Sequence, residues 1–518
     1  MFDLVIGGAS ILDGTGEPPS EGAVGVTGDR IALIQPGSGP PPPGARSIDA
    51  TGLCLAPGFI DVHNHSDLSM FVDPWMRSSL RQGVTTVVVG NCGSSAWPRA
   101  GAPELASMIG MRRFEADWSS FHEYLEAIDR CEPAINVAVL VGHGAIRQEV
   151  LGLDPRPPDP PELDRMCELA GDAMREGALG VSSGLIYVPG IFSETSEIAS
   201  VASAAGANGG IYASHIRGEG KRLFEAVSEA EDIGERAGVP VHISHLKCET
   251  SHVWGEADRL LEAVHRSVDM TADQYPYTAW NSGFASLLPP WAPLSDVDRL
   301  WRDRTTARRL AGAIELGEPG FQSSVDGVGW ENIVAVTGVD AVEAGRDVAW
   351  IAQHRGVSPV EALIQITSRD PNASCIGHAM TEEDVRSILA DPEVMVASDA
   401  SAMSPDGPLG SAPVHPREYG TFPRVLGRYV REGSIALGAA VRKMTSLPAA
   451  RFGLRDRGVI QEGAFADMVL FDPSTIDDTS TYASPHSYPT GIRAAIVAGQ
   501  VAWDGRDGAR AGRALRRG

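Results

Sequence analysis

Residues 57–67 read Pro57-Gly58-Phe59-Ile60-Asp61-Val62-His63-Asn64-His65-Ser66-Asp67. A Pro-Gly turn leads into an apolar run of strand length that ends in two histidines one residue apart. With the two-residue period of a strand, both imidazoles point to one face, where a single divalent ion can take both. The run also marks a change of texture. Before it, strand-like runs at Leu4 to Ile6, Ala23 to Val26 and Ile31 to Ile34 are split by turn residues such as Asp13-Gly14 and Gly28-Asp29. That is the pattern of a small all-β unit. After it, apolar runs alternate with segments long enough to be helices, as in βα units around a parallel sheet.

Eight strands are predicted: Phe59 to His65, Thr85 to Asn91, Asn136 to His143, Leu179 to Ser183, Ile211 to His215, Val239 to His245, Val268 to Gln274 and Val394 to Asp399. Eight is the number that closes a (β/α)8 barrel. One intervening helix is plainly punctuated: Asp159 caps, Pro160 opens, Glu162 stands at N3, and the Leu163, Met166, Leu169, Ala170, Ala173, Met174 stripe stops at Gly177. About 120 residues separate the seventh and eighth strands, too many for one crossover helix. Trp280 to Gly345 is read as an insertion over the active-site face, with a lid as its expected role. Strand-like runs return at Met468 to Phe471 and Ala494 to Val501. The fold expected is therefore α/β: a (β/α)8 TIM-like barrel over 58–455, a small discontinuous β-sandwich domain from 1–57 and 456–518, and a lid at 280–345.

Composition narrows the function classes. The 518 residues carry 43 Lys plus Arg against 67 Asp plus Glu, a net charge of −24, which argues against a nucleic-acid binder. The basic cluster at Arg510, Arg513, Arg516 and Arg517 is too small to reverse that. No apolar run approaches the roughly 20 residues of a membrane span. Six cysteines without a CxxC pair suit a reducing compartment, and the first residues lack a signal-peptide pattern, so a cytoplasmic protein is expected. Lysine occurs only at Lys221, Lys247 and Lys443.

Metal-competent side chains fall at the C-terminal ends of the predicted strands: His63 and His65 on the first, Cys92 after the second, His215 on the fifth, His245 on the sixth and Asp399 on the eighth. In a barrel these ends converge on the face that carries the chemistry, and the ligand types suit Zn2+. Zinc lowers the pKa of a bound water to about 7 and polarises a carbonyl. Metal-held hydroxide is therefore expected to attack an acyl carbon, with Asp399 taking the water's proton and passing it to the leaving amine. His143 either lines the site or serves the core. The other five cysteines are assigned to packing or surface.

The same stretches resemble a known family. Residues 57–67 are similar to the first-strand signature of the amidohydrolase superfamily. Gln82-Gly83-Val84-Thr85-Thr86 with Gly90-Asn91-Cys92-Gly93, Ser214-His215-Ile216-Arg217-Gly218-Glu219, Ile243-Ser244-His245-Leu246-Lys247, Asp273-Gln274-Tyr275-Pro276-Tyr277 and His415-Pro416-Arg417 resemble its N-acyl-D-amino-acid deacylase (D-aminoacylase) branch. The resemblance implies a tight zinc at Cys92, His215 and His245. It implies a second, weaker site at His63, His65 and Asp399, with Cys92 able to bridge. Arg417 would hold the substrate's α-carboxylate, Lys247 and Tyr275 would add contacts, and Tyr187 would lie near the pocket. The branch's pocket serine falls at Asn281 or Ser282. Many relatives bridge two metals with a carboxylated lysine on the fourth strand. No lysine precedes Lys221 here, so Cys92 takes that place. The implied activity is hydrolysis of the linear amide of N-acyl-D-amino acids, a small-molecule substrate, and a homo-oligomer is compatible with it. A cyclic amidase of the dihydroorotase or hydantoinase kind, a natural-product amidohydrolase and a barrel scaffold without catalysis are the rivals. Ala400 stands where the branch more often has glycine, and the loop from Asp399 to His415 is longer than usual.

Overall fold

The computed structural model describes residues 1–111, 114–267, 269–410 and 414–517. Its centre is a ring of parallel strands. They are Phe59–Asp61, Val84–Val89, Asn136–Val139 continued by Val141–Gly142, Gly180–Gly184, Ile211–His215, Val241–Ile243, Met270–Gln274 and Val394–Val396, each paired in parallel with the next. The ring closes between the eighth and first: Asn64 bridges Ala400 in parallel, and Asp399 N–H donates to the His63 carbonyl at 2.8 Å. Val268, the expected start of the seventh strand, lies outside the described residues. The strands are buried on both faces, as a parallel sheet under helices must be.

The helix Pro160–Glu176 has the expected punctuation. Asp159 and Glu162 form a reciprocal capping box, and Gly177 ends the helix at φ 118°, a left-handed conformation that glycine adopts without penalty.

The two chain ends share one hydrogen-bonded sheet of eight strands. They meet where Cys54–Pro57 runs antiparallel to Met468–Phe471. The sheet curls until Arg30 bridges Phe465, enclosing Leu4, Ile6, Val24, Leu55, Met468 and Ile496. The last residues depart from the expected outline, because Ala514–Leu515 pairs in parallel with Val137 and Ala138 of the barrel. The first half of the third strand thus has the tail as its neighbour, while the second half pairs with the fourth strand. The terminal arginines pin this arrangement, Arg513 on Asp29 at 3.1 Å and Arg516 on Asp129 at 2.9 Å.

The insertion is also longer than the sequence pattern suggested. Ala279–Gly283 and Ile333–Ala335 both pair antiparallel with Ser374–His378, so its sheet reaches well past Gly345. Its loops rest on those that follow the fifth and sixth barrel strands. Gln322 Oε1 accepts from Arg222 N–H at 3.1 Å, Lys221 pairs with Asp326, and Ser251 N–H donates to the Gly327 carbonyl at 3.0 Å. None of the helices among the described residues is long and apolar enough to cross a membrane.

Candidate metal centre and active site

The first strand is only three residues long, so His63 and His65 lie beyond it, on the turn that hydrogen-bonds to the residues just after the eighth strand. Asp61 fixes that turn: its carboxylate accepts from Asn64 Nδ2 at 2.9 Å, Ser398 N–H at 2.9 Å and Ser398 Oγ at 2.5 Å. Cys92 sits on a turn that needs glycine neighbours. A Cβ on Gly142 would stand 2.3 Å from the Gly93 carbonyl oxygen, and one on Gly184 would stand 2.1 Å from that of Cys92. Backbone packed this closely carries the thiol inward over the barrel mouth.

Three of the expected ligands hold left-handed backbone, Cys92 at φ 53°, His245 at φ 39° and Asp399 at φ 51°. None is glycine, so each conformation costs of order 1 kcal/mol and persists because its surroundings enforce it. His245, for instance, is held by its N–H on Asp273 Oδ1 at 2.9 Å.

The side chains converge. Cys92 Sγ lies 3.2 Å from His63 Nε2, 3.7 Å from His215 Nδ1 and 3.6 Å from His245 Nε2. Asp399 Oδ1 lies 3.1 Å from His65 Nε2 and 3.4 Å from His63 Nε2. Cys92, His215 and His245 form one possible ligand trio, His63, His65 and Cys92 a second, and His63, His245 and Asp399 a third. A tetrahedral zinc with bonds of about 2.3 Å to sulfur and 2.0 Å to nitrogen spaces its S···N pairs about 3.5 Å apart. The Cys92 separations to His215 and His245 match that spacing.

Charge in the cluster is ordered the same way. Burial opposes ionisation of Cys92, but His63 and hydrogen bonds from His215 and His245 outweigh it and hold the thiol pKa well below its usual value. Burial likewise opposes the Asp399 anion, and Arg417 and His63 overcome it, leaving the pKa well below the carboxylate range. Burial resists protonation of His65, yet Asp399 and Cys92 push it up to about 9. Two anions facing protonated imidazoles form a set in which a divalent cation can take the protons' place.

A surrounding layer orients the ligands. Glu219 Oε1 lies 3.0 Å from His245 Nδ1, and Oε2 lies 3.6 Å from His215 Nε2. Lys247 Nζ donates to Glu219 Oε1 at 2.6 Å and sits 2.8 Å from His245 Nδ1. For His245 Nε2 to face a metal, Nδ1 must carry the proton, so Glu219 accepts from both the imidazole and the ammonium. Asp273 Oδ2 lies 2.8 Å from His242 Nε2 and 3.6 Å from His63 Nδ1.

The expected substrate contacts ring this cluster. Arg417 is buried, and its Nη1 donates to Asp399 Oδ2 at 2.7 Å, while its Nε has no partner among the described residues. Its guanidinium lies 5.0 Å from the Tyr275 ring, and Lys247 Nζ lies 5.6 Å from the same ring. The buried Tyr275 hydroxyl is likewise unpartnered among the described residues. The Tyr187 ring stands 5.0 Å from that of His215, and Ser282 of the insertion acts on its hydroxyl. Every residue singled out from the sequence as a ligand or contact lies in this one region. His143 lies apart, with Nε2 3.0 Å from Glu197 Oε1 beside the buried Arg147.

Four carboxylates escaped the sequence reading as site residues: Asp61, Glu219, Glu249 and Asp273. Three stand in quoted motifs, Asp61 two residues before His63, Glu219 four after His215 and Asp273 at the end of the seventh strand. Position at a strand end was the available signal. Glu249 is buried, and burial with Glu219 nearby pushes its pKa up to about 7.

The amidohydrolase family model matches residues 46–502. D-aminoacylase of Alcaligenes xylosoxydans xylosoxydans is 36% identical over 100% of this chain and 98% of its own length. N-acyl-D-glutamate deacylase from the same organism is 36% identical over 96% of this chain and 93% of its own. Among solved structures, a D-aminoacylase crystal structure superposes with a TM-score of 0.84 at 33% identity, covering 100% of both chains. An N-acyl-D-glutamate deacylase from Bordetella bronchiseptica, complexed with zinc and a phosphonate mimic of the tetrahedral intermediate, superposes with a TM-score of 0.81 at 33% identity, covering 99% of both chains. Matches of this length and depth, on a barrel whose strand ends gather one thiol, four imidazoles and a carboxylate, mean that the chain belongs to the amidohydrolase family, in its N-acyl-D-amino-acid deacylase branch.

Proposed function

We propose that this chain is a zinc hydrolase that cleaves the linear amide of N-acyl-D-amino acids, releasing a carboxylate and a free D-amino acid. The observation that carries the reading is the Cys92, His215, His245 trio at zinc-ligand spacing with Asp399 beside it. Cys92, His215 and His245 hold the tight ion, and His63, His65 and Asp399 form a weaker second site. Bound zinc supplies an acidified water and Lewis-acid polarisation of the amide carbonyl.

The chain's own residues do the rest. Arg417 and His63 keep Asp399 ionised, ready to accept a proton at a carboxylate oxygen and deliver it to the departing nitrogen. Arg417 keeps Asp399 through Nη1 and offers the rest of its fork to the substrate α-carboxylate. The Tyr275 hydroxyl, without a partner among the described residues, and the Lys247 ammonium flank that anion. In the same reading, 58–455 is the catalytic barrel and 1–57 with 456–518 the β-sandwich unit, while the insertion acts as a lid that excludes water.

A paired panel of N-acetyl-D- and N-acetyl-L-amino acids, scored by amine release from zinc-loaded protein, tests the reading. Turnover confined to the D series is expected. Turnover of the L series alone, or of a hydantoin or dihydroorotate alone, overturns it.

A further inference from the structure

Glu219, the carboxylate that faces His245, stands between two glycines, Gly218 and Gly220, on the loop after the fifth strand. Its side chain points into the ligand cluster, 3.0 Å from His245 Nδ1 and 2.6 Å from Lys247 Nζ. Glycine leaves the backbone on either side with the widest conformational freedom a chain has. The aim of Glu219 therefore depends on what packs against those two residues.

Gln322 of the insertion packs there. A Cβ added to Gly218 would stand 2.8 Å from Gln322 Oε1, and one added to Gly220 would stand 2.9 Å from Gln322 Nε2. The planar amide thus spans the loop, one end on each glycine, with Glu219 between them. Gln322 Oε1 also accepts from Arg222 N–H at 3.1 Å, which ties the amide to the start of the helix Leu223–Ala237. Gln322 is itself aimed by a well-bonded turn. Phe321 N–H donates to the Glu318 carbonyl at 2.9 Å, and Ser323 Oγ donates to the Ile314 carbonyl while accepting from Val325 N–H at 3.0 Å and Asp326 N–H at 3.1 Å.

Contacts run without a gap from the insertion to the cluster: Gln322 on the two glycines, Glu219 between them, then Lys247 and His245, then Cys92 Sγ at 3.6 Å from His245 Nε2. On its other side the amide borders a cavity of about 220 Å³ lined by Lys221, Thr250, Phe321 and Asp326 among others. It can therefore leave the glycines without unpacking a hydrophobic core. Orientation of a ligating histidine through its second nitrogen strengthens metal binding, so whatever steadies Glu219 steadies the ligand set.

We propose that Gln322 is a positioning residue: seated on Gly218 and Gly220, it fixes Glu219, so that the insertion sets the zinc ligands as well as covering the site. The inference rests on the proposed zinc centre. A side chain that only closed a lid would alter KM and leave the metal untouched, and the test separates the two. It is made on the full chain, first without substrate, with cobalt(II) in place of zinc so that the visible bands and the thiolate charge-transfer band report the ligand geometry. Gln322→Ala, checked for folding by circular dichroism, should shift those bands and weaken zinc binding about three- to tenfold in chelator competition. At saturating zinc its kcat should fall by more than its KM rises. Gln322→Met, which keeps the side chain's length and its packing on the glycines, should restore most of the spectrum and affinity. Gly220→Ala, which pushes the amide away with Gln322 intact, should reproduce the spectral shift. A folded Gln322→Ala with the wild-type spectrum and zinc affinity overturns the proposal, as does a wild-type spectrum for Gly220→Ala. Gln322→Met as impaired as the alanine variant removes packing on the glycines as the cause. Wild-type protein that holds no zinc tightly overturns the zinc centre itself.

Discussion

The two halves of the ligand cluster differ in how firmly they are held. In the half made by Cys92, His215 and His245, His245 Nδ1 lies 3.0 Å from Glu219, which Lys247 anchors in turn, while His215 Nε2 stands 3.6 Å from the same carboxylate without a hydrogen-bond partner among the described residues. In the half made by His63, His65 and Asp399, the support is divided. His63 has Asp273 at 3.6 Å, His65 Nδ1 is buried without a partner among the described residues, and Asp399 is shared with Arg417. Orientation of a histidine by its second nitrogen raises metal affinity, so under the proposed function the half anchored through His245 is expected to hold its ion more firmly than the other.

The largest test removes the shared sulfur. Cys92→Ala should lose its zinc and at least about 10,000-fold in turnover, as read by metal analysis and amine release; a metal-free variant with normal turnover would end the zinc reading. Asp399→Asn should keep the tight ion and lose about 1,000-fold in kcat. If the metal goes with the activity, the two halves are one unit and the contrast is void. Glu219→Gln should weaken zinc binding about 10- to 100-fold, seen in competition with a chromogenic chelator. His65→Ala should be gentlest on the tight ion, changing its affinity less than about tenfold; an effect equal to that of Glu219→Gln would show the second half to be as well anchored as the first.

Much of this was legible in the sequence because barrel strands announce themselves. A strand end that carries His or Cys in a (β/α)8 pattern has one place to go, which is why Cys92, His215, His245 and Asp399 could be put on one face from their positions alone. The residues that hold them were harder to see. Glu219, Asp273 and Glu249 are ordinary carboxylates in a chain with 67 acidic residues, and only folding shows which of them turn inward toward an imidazole or an ammonium. The extent of the insertion was hidden for a related reason. Ser374–His378 is five residues long, and nothing local says whether such a strand joins the barrel or the sheet above it. The tail strand Ala514–Leu515 is shorter still, and its pairing with a strand nearly 380 residues earlier has no local signature.

The left-handed backbone at Cys92, His245 and Asp399 has a consequence for heat rather than for catalysis. A side chain at such a φ is strained whatever its chemistry, and glycine is not. Replacing Cys92 or Asp399 by glycine should therefore give a protein that, free of metal, melts a few degrees above the matching alanine variant, for a difference of about 1 kcal/mol. Dead enzymes that outlast their alanine counterparts on heating would show how much rigidity this barrel gives up to keep its ligands aimed.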